Sequence, residues 1–107
     1  MSPSLIESLR AQCGGPRDGA LLRFSLGNAL LNAGNHAEAI EALRQAVTFD
    51  PDYSAAWKLL GKACLAAQDE AGAAEAWRQG IAVAQRRGDK QAEKEMAVFL
   101  RRIEPLG

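Results

Sequence analysis

The side chains that could take part in catalysis or metal binding are few in this chain of 107 residues, and they are scattered along it. The two cysteines, Cys13 and Cys64, fit no metal-binding spacing. The only histidine, His36, has no nucleophile or second ligand close to it in the sequence. Gly14 and Gly15 are not followed by the Gly-Lys-Ser/Thr of a phosphate-binding loop. We therefore predict that the protein is not an enzyme and binds no cofactor and no metal.

The charges exclude further classes of ligand. Thirteen basic and thirteen acidic residues give a formal net charge of zero, whereas a binder of nucleic acid usually carries an excess of Lys and Arg. We therefore expect no nucleic acid as ligand.

No apolar run could span a membrane, and Glu7 and Arg10 argue against a signal peptide. Cys64 is expected in the core and Cys13 at an accessible site, both as reduced thiols, which predicts a cytoplasmic protein. Whether Cys13 reacts stays open.

An internal repeat organises these residues into helices. When the chain is shifted by about 34 residues, the segment 26–33 falls on 60–67 and the segment 37–45 falls on 71–79, mostly on identical residues. The apolar spacing predicts six helices and no strand. The helices are expected at about 4–12, 18–33, 35–49, from 50–52 to 67, at 70–87 and at 89–103.

The ends of these helices carry recognisable capping residues. The predicted N-caps are Ser4, Asn35, Asp69 and Asp89. Two of them, Ser4 and Asn35, have a glutamate three residues on (Glu7 and Glu38), which is the pattern of a capping box. Glycines at positions 34 and 88 are expected to end helices in a left-handed conformation.

Two glycines lie in the middle of predicted helices. Gly27 and its repeat equivalent Gly61 each cost about 1 kcal/mol relative to alanine at such a position. The cost is understandable if a neighbouring helix approaches too closely to leave room for a side chain. We therefore predict tight helix contacts at both glycines.

The second copy of the repeat reads Trp57-x-x-Leu60-Gly61 and then Ala73-x-x-x-Trp77. This pattern resembles the tetratricopeptide repeat, whose signature runs Trp-x-x-Leu-Gly-x-x-Tyr, then Ala-x-x-x-Phe, then Pro. The first copy keeps the Leu-Gly pair at 26–27, the alanine at 39 and the proline at 51, with arginine at 23 in place of the tryptophan. The chain thus resembles a small two-repeat member of bacterial type.

The resemblance implies an all-α fold, a right-handed superhelical stack of antiparallel helix pairs within one domain, 1–107. We predict an N-terminal helix over 4–12, repeats over 20–53 and 54–87, and a C-terminal capping helix over 89–104. That last helix is out of phase, because an offset of 34 would place Lys94 and Glu95 on packing positions. An offset of about 39 restores an apolar packing face. This face consists of Met96, Phe99, Leu100 and Ile103.

In tetratricopeptide repeats the first helix of each pair lines a concave groove in which partner peptides or helices lie. The resemblance therefore implies a partner-binding set on those helices. The set comprises Phe24, Asn28, Leu31, Asn32, Lys58, Lys62, Leu65, Lys94 and Arg101.

The cations of this set suggest the chemistry of the partner. Lys58 and Lys62 lie one helical turn apart, and with Arg101 they would favour an acidic peptide or a C-terminal carboxylate. The alternative, that they only solvate a helix face, stays open. Chaperone-binding relatives grip a carboxylate with a fixed set of Lys, Asn and Arg. Asn28 matches one of those positions, but the others hold Phe24, Leu59, Asp89 and Glu93, so that clamp is absent.

The sequence analysis thus predicts a non-catalytic protein–protein interaction module that works as a monomer. A second hypothesis is a self-associating or assembly subunit, which would bury exposed Phe24, Val98 and Leu106 between chains. A third, an accessory domain of a larger enzyme complex, stays open because the fold alone does not name a function.

Overall fold

The computed structural model describes residues 4–104, and within them the chain forms six α-helices and no strand. The helices are α1 (Leu5–Gln12), α2 (Ala20–Asn32), α3 (His36–Phe49), α4 (Ser54–Ala66), α5 (Glu70–Arg87) and α6 (Lys90–Ile103). Each helix packs on the next one along the chain, which gives an elongated stack of 52 × 28 × 18 Å. The predicted all-α stack of antiparallel helix pairs is confirmed. None of the six helices combines the length and apolar character that crossing a lipid bilayer demands.

Three of the four predicted N-caps carry the expected side-chain hydrogen bond. The backbone N–H groups of Glu7, Gly72 and Ala92 donate to Ser4 Oγ, Asp69 Oδ1 and Asp89 Oδ1 at 3.2, 2.9 and 3.1 Å.

The capping box predicted at the start of α3 is wrong. Asn35 makes no side-chain capping bond. Instead of turning back to the helix start, the Glu38 carboxylate accepts from the Arg10 guanidinium, with Nε–Oε2 at 2.9 Å. A charged donor on the neighbouring helix is the stronger partner, so this contact joins α1 to α3.

The helix ends follow the predicted chemistry with one exception. Gly34 and Gly88 adopt the left-handed conformation, with φ of 82° and 71°. At the end of α4 the repeat equivalent of Gly34 is Gln68, which takes φ of 64° without being a glycine. Such a conformation costs an L-residue about 1–2 kcal/mol, so this turn is less favourable than its counterpart in the first repeat.

The tight contacts predicted at the two mid-helix glycines are present. A Cβ added to Gly27 would lie 2.5 Å from Leu43 Cγ. A Cβ added to Gly61 would overlap the Trp77 indole at its Nε1 edge. Both glycines therefore let the second helix of a pair press its large side chain against the backbone of the first.

A third contact of this kind was not predicted. A Cβ added to Gly80 would meet the Sδ atom of Met96, and it would lie 2.9 Å from Trp57 Cβ. Gly80 thus lets α6 approach α5 as closely as the paired helices approach each other.

The core runs through the whole stack and contains the residues that the repeat pattern placed there. Trp77 is 1% exposed and its indole N–H donates to the Lys58 carbonyl at 3.1 Å, so its burial leaves no polar group unpaired. Cys64 is buried as expected, whereas Cys13 is only partly exposed, with Sγ 3.6 Å from the Leu9 carbonyl oxygen. The predicted packing face of α6 also joins this core: Met96, Phe99, Leu100 and Ile103.

An ion pair that the sequence analysis did not anticipate holds the connection between α1 and α2. The Arg23 guanidinium donates to both carboxylate oxygens of Asp18 at 2.7 Å and also to Gln45 on α3. The backbone N–H groups of Gly14 and Gly19 donate to the same carboxylate at 2.7 and 2.9 Å. The hydrogen bonds from Arg23 and Gly14 hold the pKa of Asp18 well below its usual range.

This lowered pKa gives a testable dependence of stability on pH. Because the folded state favours the ionised form of Asp18, its contribution is complete above the unfolded pKa of about 3.9 and is lost as the pH falls from there through the folded pKa. We expect Asp18→Asn to lower the melting temperature at pH 7, and the difference from wild type to shrink below about pH 4. Thermal denaturation followed by circular dichroism over this pH range measures the effect.

Asp52→Asn is the matched control, because the Asp52–Arg86 pair is more than half exposed at both side chains and should contribute little. A melting temperature difference for Asp18→Asn that stays constant down to pH 2, or that equals the difference for Asp52→Asn, would contradict the assignment.

Candidate partner-binding groove

The first helices of the two repeats, α2 and α4, lie side by side, and α6 lies next to α4 on its other side. This order follows from the contacts of α4 with both α2 and α6. We use the term groove face for the exposed and half-buried residues that α2, α4 and α6 present together. All nine residues of the predicted partner-binding set belong to these three helices. Their surroundings differ along the stack, so the three helices are described in turn.

On α2 the groove face combines one packed aromatic ring with polar side chains. Phe24 is half-buried, and its ring centroid lies 5.0 Å from that of Tyr53. The expectation that Phe24 is exposed is therefore wrong, since Tyr53 covers part of the ring. Leu31 is also half-buried against the core, whereas Asn28 and Asn32 are exposed. A partner on α2 would meet mainly these two amides.

Between α4 and α6 the groove face holds an ion pair. Lys58 Nζ lies 3.4 Å from Glu95 Oε2, and the two side chains are 28% and 38% exposed. Glu95 was not among the predicted groove residues. Its carboxylate offsets the charge of Lys58, so this part of the groove face is less basic than the sequence suggested.

One helical turn further along α4 the groove face opens into a pocket of about 380 Å³. It is lined by Lys62, Leu65, Ala66, Trp77, Phe99 and Arg102. The Lys62 ammonium lies 5.2 Å from the centroid of the Phe99 ring, which is a cation–π distance. Phe99 in turn packs on Trp77, with the ring centroids 5.3 Å apart.

The structure brings together only part of the predicted set. Lys62 and Leu65 meet in the pocket, whereas Lys94 and Arg101 are exposed on α6 and do not line it. The cation that α6 contributes to the pocket is Arg102. No pattern in the sequence indicated Arg102, because its position in the pocket depends on the rotation of α6 against α4.

A family model described as tetratricopeptide repeat matches residues 4–54 and 24–92, which together span most of the chain. The chain belongs to the tetratricopeptide repeat family. Members of this family are generally protein–protein interaction modules and generally non-catalytic scaffolds.

Similar proteins agree with this assignment. A tetratricopeptide repeat-containing protein of Pseudomonas aeruginosa is 55% identical over 100 residues, covering 94% of this chain and 95% of the relative. The solution structure of a Bordetella parapertussis protein has a TM-score of 0.81 at 45% identity and covers 96% of this chain and 90% of its own. The crystal structure of a tetratricopeptide repeat domain protein from Salinibacter ruber has a TM-score of 0.75 at 26% identity, covering 84% and 100%.

Proposed function

We propose that this tetratricopeptide repeat protein is a non-catalytic interaction module that binds a partner peptide or helix along its groove face. The observation that carries the proposal is the pocket between α4 and α6, which joins apolar surface to the cations Lys62 and Arg102. Interfaces are typically built from an apolar anchor site with polar groups around it. The volume of about 380 Å³ is enough for one large side chain of a partner.

The rest of the groove face supplies contacts around this pocket. Asn28 and Asn32 are exposed on α2 and offer amide donors and acceptors to a peptide backbone. Lys94 and Arg101 are exposed on α6 and add positive charge beside the pocket. A partner that carries at least one carboxylate fits this distribution, because charge complementarity speeds association and rejects cationic partners.

A charge reversal on α4 tests the groove assignment. We expect Lys58→Glu combined with Lys62→Glu to retain the helical circular dichroism spectrum but to reduce partner capture from a native lysate at least about tenfold. The reason is that two cations become anions on the surface that the partner is proposed to cover. Quantitative mass spectrometry of the captured proteins provides the measurement.

The control for this variant reverses two exposed cations away from the groove face, Arg44→Glu on α3 with Arg87→Glu on α5. This control carries the same change of net charge, so a non-specific electrostatic effect would appear in both proteins. The proposal fails if the groove variant captures the same partner as wild type, or if the control loses the partner equally.

Self-association through a flank is the second candidate. The observation that favours it is Val98, which is 42% exposed on α6. Phe24 contributes less than predicted because Tyr53 covers it, and Leu106 lies outside the described residues. Sedimentation at micromolar concentration separates the two functions, since the groove proposal expects a monomer.

A further inference from the structure

The short helix α1 stands in the same relation to α2 as α3 stands to α4. When the chain is shifted by 34 residues, Arg10 and Cys13 of α1 fall on Arg44 and Val47 of α3. The structure places these two pairs alike. Arg10 and Cys13 line a cavity of about 250 Å³ against α2 and α3, and Arg44 and Val47 line a cavity of about 340 Å³ against α4 and α5.

The opposite walls of the two cavities agree as well. Leu26 and Glu41 line the cavity under α1, and their repeat equivalents Leu60 and Glu75 line the cavity under α3. The helix α1 therefore occupies the position of the second helix of a preceding repeat. Within residues 4–104, however, α2 is the only helix on which α1 packs, whereas α3 packs on both α2 and α4.

The missing neighbour leaves α1 much less buried than α3. None of the residues of α1 is fully buried, whereas α3 has five buried residues. Leu9 is half-buried where its repeat equivalent Leu43 is completely buried, and Leu5 is 66% exposed where Ala39 is completely buried. A segment that buries little apolar surface unfolds locally at a lower free energy than the core of the protein.

The polar contacts of α1 do not make up for this weak burial. The Arg10 guanidinium donates to the Glu38 carboxylate of α3, but the two side chains are 44% and 51% exposed, and exposed ion pairs contribute little. The loop between α1 and α2 contains Gly14, whose φ of 81° suits a sharp turn. The ion pair of Asp18 with Arg23 lies after this glycine, so it holds the start of α2 without any side chain of α1.

We infer that α1 is a latch, which opens and closes on α2 while α2 to α6 stay folded. Opening breaks the Arg10–Glu38 pair and uncovers the wall of the cavity formed by Leu26 and Leu30 of α2. In the closed state α1 itself is the occupant of this face. The groove face does not include α1, so this inference goes beyond the proposed function and can fail without affecting it.

Hydrogen exchange of the backbone amides in the full chain, followed by nuclear magnetic resonance, tests the latch. An isolated helix of eight residues is not stable in water, so α1 unfolds when it leaves α2 and its amides exchange. We expect the amides from Ser8 to Cys13 to share one protection factor, at least about 100-fold below that of the most protected amides of α2 to α5.

Two repeat-equivalent isoleucines provide matched variants, because Ile6 on α1 and Ile40 on α3 are both half-buried against the core. Ile40 does not line the cavity under α1. Ile40→Ala should accelerate exchange of the most protected amides about tenfold and leave exchange in α1 unchanged, because α3 stays folded when α1 opens. Ile6→Ala should accelerate both groups about tenfold, because its contact is lost in the local and in the global opening.

The result that would overturn the latch is that α1 and the stack unfold as one unit. In that case the amides of α1 are as protected as those of α3, or Ile40→Ala accelerates α1 as much as the rest. Protection that rises steadily from Ser8 to Cys13 would also overturn it, because such a gradient identifies fraying of the helix end. If Ile40→Ala does not fold, Ile40→Val allows the same comparison with an expected acceleration of about threefold.

Discussion

Gly61→Ala is expected to lower the free energy of unfolding by about 3 kcal/mol, although alanine is the better helix former by about 1 kcal/mol. The new methyl group would overlap the Nε1 edge of the Trp77 indole. Trp77 cannot move away from Gly61 without breaking core contacts, because it is 1% exposed and its indole N–H is hydrogen-bonded to the Lys58 carbonyl. The two helices of the second repeat must therefore separate or lose this hydrogen bond. Urea titration followed by circular dichroism measures the change.

The same substitution in a Trp77→Leu background is the control for this prediction. The smaller side chain leaves space at Gly61, so Gly61→Ala should cost about 1 kcal/mol or less there. Such a difference between the two backgrounds assigns the cost to the contact between the methyl group and the ring. A Gly61→Ala protein as stable as wild type, or an equal loss in both backgrounds, would show that the contact does not limit helix packing.

The mid-helix glycines of the two repeats also show which close contacts could be predicted from the sequence. Gly27 and Gly61 were recognised because the repeat places a costly residue twice at the same position. Gly80 makes an equally close contact, but its counterpart in the first repeat is Ala46, so the repeat provides no signal. The partner of Gly80 is Met96 on α6, whose position lies outside the repeat.

The ion pair of Asp18 with Arg23 was missed for a different reason. In the repeat alignment Arg23 stands where the second copy has Trp57, and it was counted as the occupant of a large apolar site. Asp18 precedes α2, so the spacing of five residues is not a helical pairing and carries no sequence signal. The contact follows from how the loop before α2 folds back, and that loop has no counterpart in the second repeat.

For the groove face, the sequence predicted the helices but not the chemistry between them. The apolar residues of α6 indicated an offset of about 39 from α4, and these residues do pack on the core. Across the groove face, however, Lys58 pairs with Glu95 and Lys62 with Phe99, which are both 37 residues apart (95 − 58 and 99 − 62). The residues of α6 that pack on the core thus follow an offset of about 39 from α4, whereas the residues of α6 that face α4 across the groove face follow an offset of 37. That is why Glu95 and Arg102 were not recognised.

Met96→Ala is expected to destabilise the protein by about 2–5 kcal/mol, because it removes the side chain that anchors the last helix. Met96 is completely buried, and its sulfur lies against Gly80, so its truncation leaves a cavity between α5 and α6. In a stack of helix pairs each unit is stabilised only by its neighbours, so a weakened end unit exposes the face beneath it. Here the face beneath α6 includes Trp77 of α5, which packs on Phe99 of α6.

Val98→Ala is the matched control on α6. Val98 is 42% exposed, so its truncation should change the stability by no more than about 0.5 kcal/mol. Both variants are compared by urea titration with tryptophan fluorescence, which reports on the environments of Trp57 and Trp77 together. If Met96→Ala costs no more than Val98→Ala, α6 does not depend on this anchor. The pocket formed by Lys62, Phe99 and Arg102 would then lose its structural basis, because two of these three residues are held in place by α6.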